Sequence, residues 1–168
     1  MAQAITLLIT SKTINMAKKN HHTDCECAAC KYGMEAVEKM QEDAIKKYGW
    51  YAHLVTDPMC PANTNIHTHH VMESFGHKDF QICLNIQPNT LHMILADAID
   101  QVKEGIKFEP GKKYDKIIAN YKVEFIEATE MGRPVLRLLI PDENGKYEGP
   151  YAEQLTKLNN TDININMN

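Results

Sequence analysis

The sequence predicts an α+β fold: a single domain with a mostly antiparallel sheet of about five strands and two main helices. Three observations carry this. Two segments repeat their apolar residues at helical spacing. Five runs are rich in β-branched and aromatic residues, several with two-residue alternation. The two kinds of segment do not alternate strictly, as a doubly wound sheet would require.

The first helix covers Met34 to Tyr48, where Val37, Met40, Ala44 and Tyr48 share one face. Glu42–Lys46 and Asp43–Lys47 are spaced one turn apart in the favourable order, and Gly49 ends the helix. "WYAHLVT", "TNIHTHHV" and "FQICLNI" are the next three strands. The second helix is "PNTLHMILADAIDQVKEG", with Leu91, Ile94, Leu95, Ala98 and Val102 as its apolar stripe between Pro88 and Gly105. "YKVEFIEAT" and "PVLRLLI" then form a hairpin around "EMGR", and "PDENG" makes a turn.

The 168 residues are enough for one domain with its own core. Residues 25–157 are read as that domain, 1–24 as a peripheral N-terminal extension and 158–168 as a disordered Asn-rich tail. Met16 opens "MAKKN", which resembles a second start. No apolar run approaches the length of a bilayer span, and "AITLLIT" lacks the flanks of a signal peptide. Five cysteines, three of them within six residues, make a poor disulfide framework and point to a reducing, cytoplasmic setting. The net charge of −4 and the scattered lysine pairs argue against a nucleic-acid partner, which needs a concentrated basic face. A small anionic ligand is still compatible with this charge.

"NIHTHHVMESFGH" holds four of the eight histidines. Alternate strand residues share a face, so His67 and His69 can converge on one metal ion while His70 points the other way. Gly76 lets the chain turn, so that His77 can return as a third ligand. The competing reading is a set of packed, hydrogen-bonded histidines. His53, in the strand before, has at most a supporting role.

A second cluster, "HHTDCECAACKYG", offers Cys25, Cys27 and Cys30 at spacings that suit zinc. It has no second Cys-x-x-Cys, so a fourth ligand must come from afar. A redox motif fits less well, and unligated thiols remain open. Cys83, between Ile82 and Leu84, reads as a buried, inert thiol. Arg133 and Arg137, four apart, can bind an anion but are expected to pair with Glu124, Glu127 or Glu130 across the hairpin. Glu73 and Asp79 bracket the histidines and are the candidate general bases. The phosphate-loop, dinucleotide, zinc-protease and nucleophile-elbow motifs are absent.

The order of these features resembles a known family. A cysteine pair, a helix ending at Gly49–Trp50, a strand, "THHV", "GHKDFQI", a helix ending at Gly105 and the late "LRLLIPDENGKY" resemble the bacterial domain-of-unknown-function family 4262. His70–Val71 stands where that family usually has Gly–Leu, and Lys78–Asp79 where it has Pro–Glu. The resemblance implies a small intracellular bacterial or phage α+β domain, and it brings no activity with it.

Three functional expectations follow. The first is a module that binds a zinc-like metal or a small ligand and acts through that ligand or a protein partner. The second is a metal-dependent hydrolase, with His67, His69 and His77 holding the ion. The third is a metal-free α+β domain whose histidines only pack.

Overall fold

The computed structural model describes residues 6–8, 28–57 and 60–156. In chain order the elements are β1 (Thr6–Leu8), α1 (Ala28–Tyr32), α2 (Met34–Tyr48), β2 (Tyr51–Asp57), β3 (Cys60–His69), α3 (Val71–Phe75) and β4 (Asp79–Ile82). They continue with α4 (Pro88–Lys103), β5 (Lys113–Ile118), β6 (Tyr121–Glu130), β7 (Arg133–Leu139), a 3-10 turn at Gly149–Ala152 and α5 (Glu153–Thr156). The Asn-rich tail and all of the N-terminal extension except β1 lie outside the described residues.

The α+β class and the two long helices match the sequence reading. The sheet corrects it. Seven strands form one sheet in the order β1-β2-β3-β4-β7-β6-β5. The β1–β2 and β4–β7 pairs are parallel and the other four antiparallel, so the sheet is mixed. After β4 the chain crosses the sheet through α4 and returns along the β5–β6–β7 meander. That long connection is what lets β7 lie parallel to β4.

Alternation along the strands gives the sheet two unlike faces. One carries Ala52, Leu54, Ile66, Phe80, Ile82, Val123, Phe125, Leu136 and Leu138. Against it α4 packs Leu91, Ile94, Leu95, Ala98 and Val102, the stripe read from the sequence, joined by Ile99. Burying each such leucine or isoleucine contributes about 1.5–3 kcal/mol, so this helix holds the core together. Trp50 joins the same core and stacks on His92 with ring centroids 5.3 Å apart. Ala28 and Val37, from α1 and α2, pack with Met40 and Tyr51 in a smaller cluster.

Local backbone conformations set the element ends. Gly49 caps α2 at φ 82°, its N–H donating to the Ile45 carbonyl at 2.8 Å. A Cβ there would meet Phe75 Cζ at 2.6 Å, so both conformation and space require glycine. His70, at φ 72°, takes the chain off β3 and into α3, so the strand ends at His69. β4 stops at Ile82, short of the expected end at Ile86, where the Ile86 N–H folds back onto the Leu84 carbonyl. Cys83 follows it and is buried, as expected. Among the described residues no helix is long and apolar enough to cross a membrane.

Candidate metal centre

The antiparallel register of β2 and β3 sets His53 opposite His67 and Tyr51 opposite His69. His53, His67 and His69 therefore share the sheet face that α4 does not cover. Their ring centroids lie 5.0 Å (His53–His67), 5.0 Å (His67–His69) and 5.9 Å (His53–His69) apart. One potential ligand atom from each lies within 4.8 Å of the other two. Tyr51 stacks on the outer side of His69, centroids 4.7 Å apart and planes at 8°.

Two of these rings have unmet hydrogen-bonding capacity. His53 Nε2 and His69 Nε2 are buried and have no hydrogen-bond partner among the described residues. A native fold rarely leaves such atoms unsatisfied without an ion, a water or a ligand to serve them. The third ring is held from behind: His67 Nδ1 lies 3.4 Å from Asn65 Oδ1 and 3.7 Å from Glu130 Oε1. A carboxylate behind a metal-binding histidine orients the ring and raises its basicity.

The electrostatics keep all three neutral. Burial pushes the His67 pKa down to about 2, with His53, His69 and Arg133 adding to the effect. Burial, then Arg133, His53 and His70, pushes His69 down to about 3. His53 is lowered by burial and by Arg133. Neutral imidazole is the form that binds a metal.

Glu130 belongs to a buried polar row. Its Oε2 accepts from Asn65 Nδ2 at 2.6 Å and from Gln81 Nε2 at 2.5 Å. Gln81 Oε1 accepts from Arg137 Nε at 2.8 Å, and Arg137 Nη1 donates to the Gln154 carbonyl at 3.0 Å. The row follows the strand register, His67 beside Gln81 and Gln81 beside Arg137. Gln154 closes it: the Gln154 side chain accepts from the Ile140 N–H and donates to the Ile140 carbonyl. A row so fully bonded fixes its members rigidly.

The hairpin between β6 and β7 delivers the remaining charges. Met131 and Gly132 both have positive φ, as the tight two-residue turn of a hairpin requires, and Glu130 faces Arg133 across it. The two do not pair with each other. Glu130 turns to the His67 side, while Arg133 Nη1 donates to Asp79 Oδ2 at 2.9 Å. Arg133 Nη2 reaches the carbonyl of Thr68, the residue between His67 and His69, at 3.5 Å. Asp79 Oδ1 accepts from the Thr68 hydroxyl at 2.8 Å and from the Val71 N–H at 3.2 Å. Asp79 thus ties α3 and Arg133 to the end of β3.

Of the residues singled out in the sequence, His67 and His69 come together, with His53 rather than His77 as the third ring. His77 has both nitrogens engaged by backbone: Nδ1–H donates to the Lys78 carbonyl at 2.8 Å, and Nε2 accepts from the Phe108 N–H at 3.1 Å. Asp79 is taken up by its clip, and Glu73 is exposed on α3, 4.0 Å from His70. Neither belongs to the converging group. Cys25 and Cys27 lie outside the described residues, and Cys30 is exposed on α1. Arg133 pairs with Asp79, not with a hairpin glutamate; Glu127 pairs with Lys78 at 3.0 Å. Arg137 is buried in the polar row. Sequence reasoning placed Glu130 only as a hairpin partner of an arginine, and did not group His53 with His67 and His69. The signal for His53 was the two neighbouring strands themselves, since pairing them as a hairpin sets one histidine against another.

An α+β sheet with a partly buried histidine triad, its middle ring backed by a carboxylate, is the class that this geometry defines. Residues 44–150 match the model of the family described as a domain of unknown function (DUF4262), which is more than half of the chain, and the chain belongs to that family. No curated protein and no solved structure matches it.

Proposed function

We propose that this domain is a metal-binding module that holds one zinc-class divalent ion on His53, His67 and His69, and acts through a small ligand or a partner. The observation that carries the reading is the pair of buried nitrogens, His53 Nε2 and His69 Nε2, that have no partner among the described residues and converge with His67. The neutral state of the rings and the carboxylate behind His67 support it. This set replaces the one expected from spacing alone, with His53 in the place of His77.

Hydrolysis is the second reading, and one observation favours it. The converging group among the described residues has three members. A tetrahedral ion with three protein ligands keeps a fourth position, where a bound water can become the nucleophile at neutral pH.

The test is the zinc content of protein stripped with chelator, reloaded and dialysed. Wild type and the control His70→Ala, a half-buried histidine outside the converging group, should each retain close to one equivalent. His53→Ala and His67→Ala should lose it while keeping the circular dichroism of the fold. A folded wild type that retains no zinc would sink the proposal.

A further inference from the structure

We propose that the fourth position of the His53–His67–His69 ion is an oxyanion site, in which Arg133 binds a carboxylate or phosphate oxygen of the ligand beside the metal. This rests on the metal reading above and adds the chemical class of what the ion takes.

Three observations lead to it. The first is position. β4 begins at Asp79, so nothing of that strand lies between β3 and the start of β7, and Arg133 reaches across to the Thr68 carbonyl at 3.5 Å. Thr68 sits between two of the three ligands, so the guanidinium lies at the edge of the triad. The second is donor capacity. A guanidinium has five N–H donors. Asp79 and the Thr68 carbonyl engage one on each terminal nitrogen. The side chain is 38% exposed, whereas Arg137 is buried in the polar row. Arg133 is therefore the arginine held in place with donors to spare.

The third is charge. Three neutral imidazoles leave a divalent ion uncompensated. Asp79 offsets Arg133 at 2.9 Å, and among the described residues Glu130 is the carboxylate beside His67, 3.7 Å from its Nδ1. One carboxylate against a divalent ion leaves the centre net positive. An anionic oxygen at the fourth position satisfies that charge, and the planar guanidinium fork suits its geometry. No covalent step is implied.

The test uses the full chain loaded with cobalt(II), whose visible spectrum responds to a change of ligand. Cobalt stoichiometry is measured first: failure to bind it is failure of the metal reading, which removes this inference too. On loaded protein, inorganic phosphate and acetate are titrated separately at constant ionic strength. Either anion should shift the visible band saturably, and the stronger of the two identifies the ligand class. Arg133→Gln should keep the cobalt and weaken that anion at least tenfold; Arg133→Lys, which keeps the charge without the fork, should fall between. Four outcomes would overturn the inference while leaving the metal reading intact: no response to either anion, an unchanged affinity in Arg133→Gln, an intense thiolate-to-cobalt band showing that a cysteine closes the ion, or loss of cobalt in both Arg133 variants, which would make Arg133 a scaffold residue.

Discussion

Glu130, the last residue of β6, lies 3.7 Å from Nδ1 of His67, near the end of β3, and also accepts hydrogen bonds from Asn65 and Gln81. Together with Asn65 Oδ1, the hydrogen-bond partner 3.4 Å from the same Nδ1, this carboxylate fixes which nitrogen of His67 carries the proton. A carboxylate can only accept, so Nδ1 faces it as N–H and Nε2 is left for an ion.

Glu130→Gln should therefore weaken zinc binding by about 10–100-fold, the usual effect of losing such a supporting group. The amide oxygen can still accept from Asn65 and Gln81, so its NH2 is left facing Nδ1. That sets a donor against the Nδ1–H that Asn65 Oδ1 still favours, and so loosens the hold on the His67 ring. Competition against a chromophoric chelator measures the change. An affinity equal to wild type would show that Glu130 only fills space.

His77 should prove structural. His77→Ala removes the acceptor of the buried Phe108 N–H and should lower the unfolding free energy by about 1–3 kcal/mol in urea. His77→Gln places an amide near the position of Nε2 and should lose less. Both should retain the full zinc content. Loss of zinc in the glutamine variant would return His77 to the ligand set.

Acid should destabilise the metal-free protein earlier than carboxylate titration would. Burial holds the His77 pKa below its usual value, against the opposing pull of its two backbone hydrogen bonds. The unfolded chain takes up a proton near pH 6.5, while the folded chain resists it to lower pH. Stability is thus full above about pH 6.5 and falls as the pH drops toward the folded pKa, by up to about 1.4 kcal/mol per pH unit for such a group. Urea unfolding between pH 7.5 and 5, with chelator present, should show the decline, and it should be shallower in His77→Gln. Parallel declines would remove His77 as a cause.

Much of this was legible in the sequence, and the rest has identifiable physical reasons. The stripe of α4 and the turn at Met131–Gly132 are local patterns, so they could be read directly. β5 was not, because half of "KYDKII" is exposed and the strand is broken by the positive φ of Lys116. α3 is a single short turn with no period to detect. The parallel pairing of β4 with β7 joins segments far apart in the chain, and no local spacing encodes it. The triad was half legible for the same reason. Proximity along the chain favoured His77 as the third ring, but the Phe108 backbone claims it, and strand register supplies His53 instead.

The β4–β7 pairing also bears on how the site is assembled in time. The histidines come from β2 and β3, while Glu130 and Arg133 come from β6 and β7. The two groups meet when β7 docks along β4, a pairing of high sequence separation and therefore a slow one. An early folding intermediate with only the first half in place would display three imidazoles without their carboxylate or their guanidinium. Full affinity would then arise only at the last stage of folding, and bound metal would favour the completed sheet over every partly docked form.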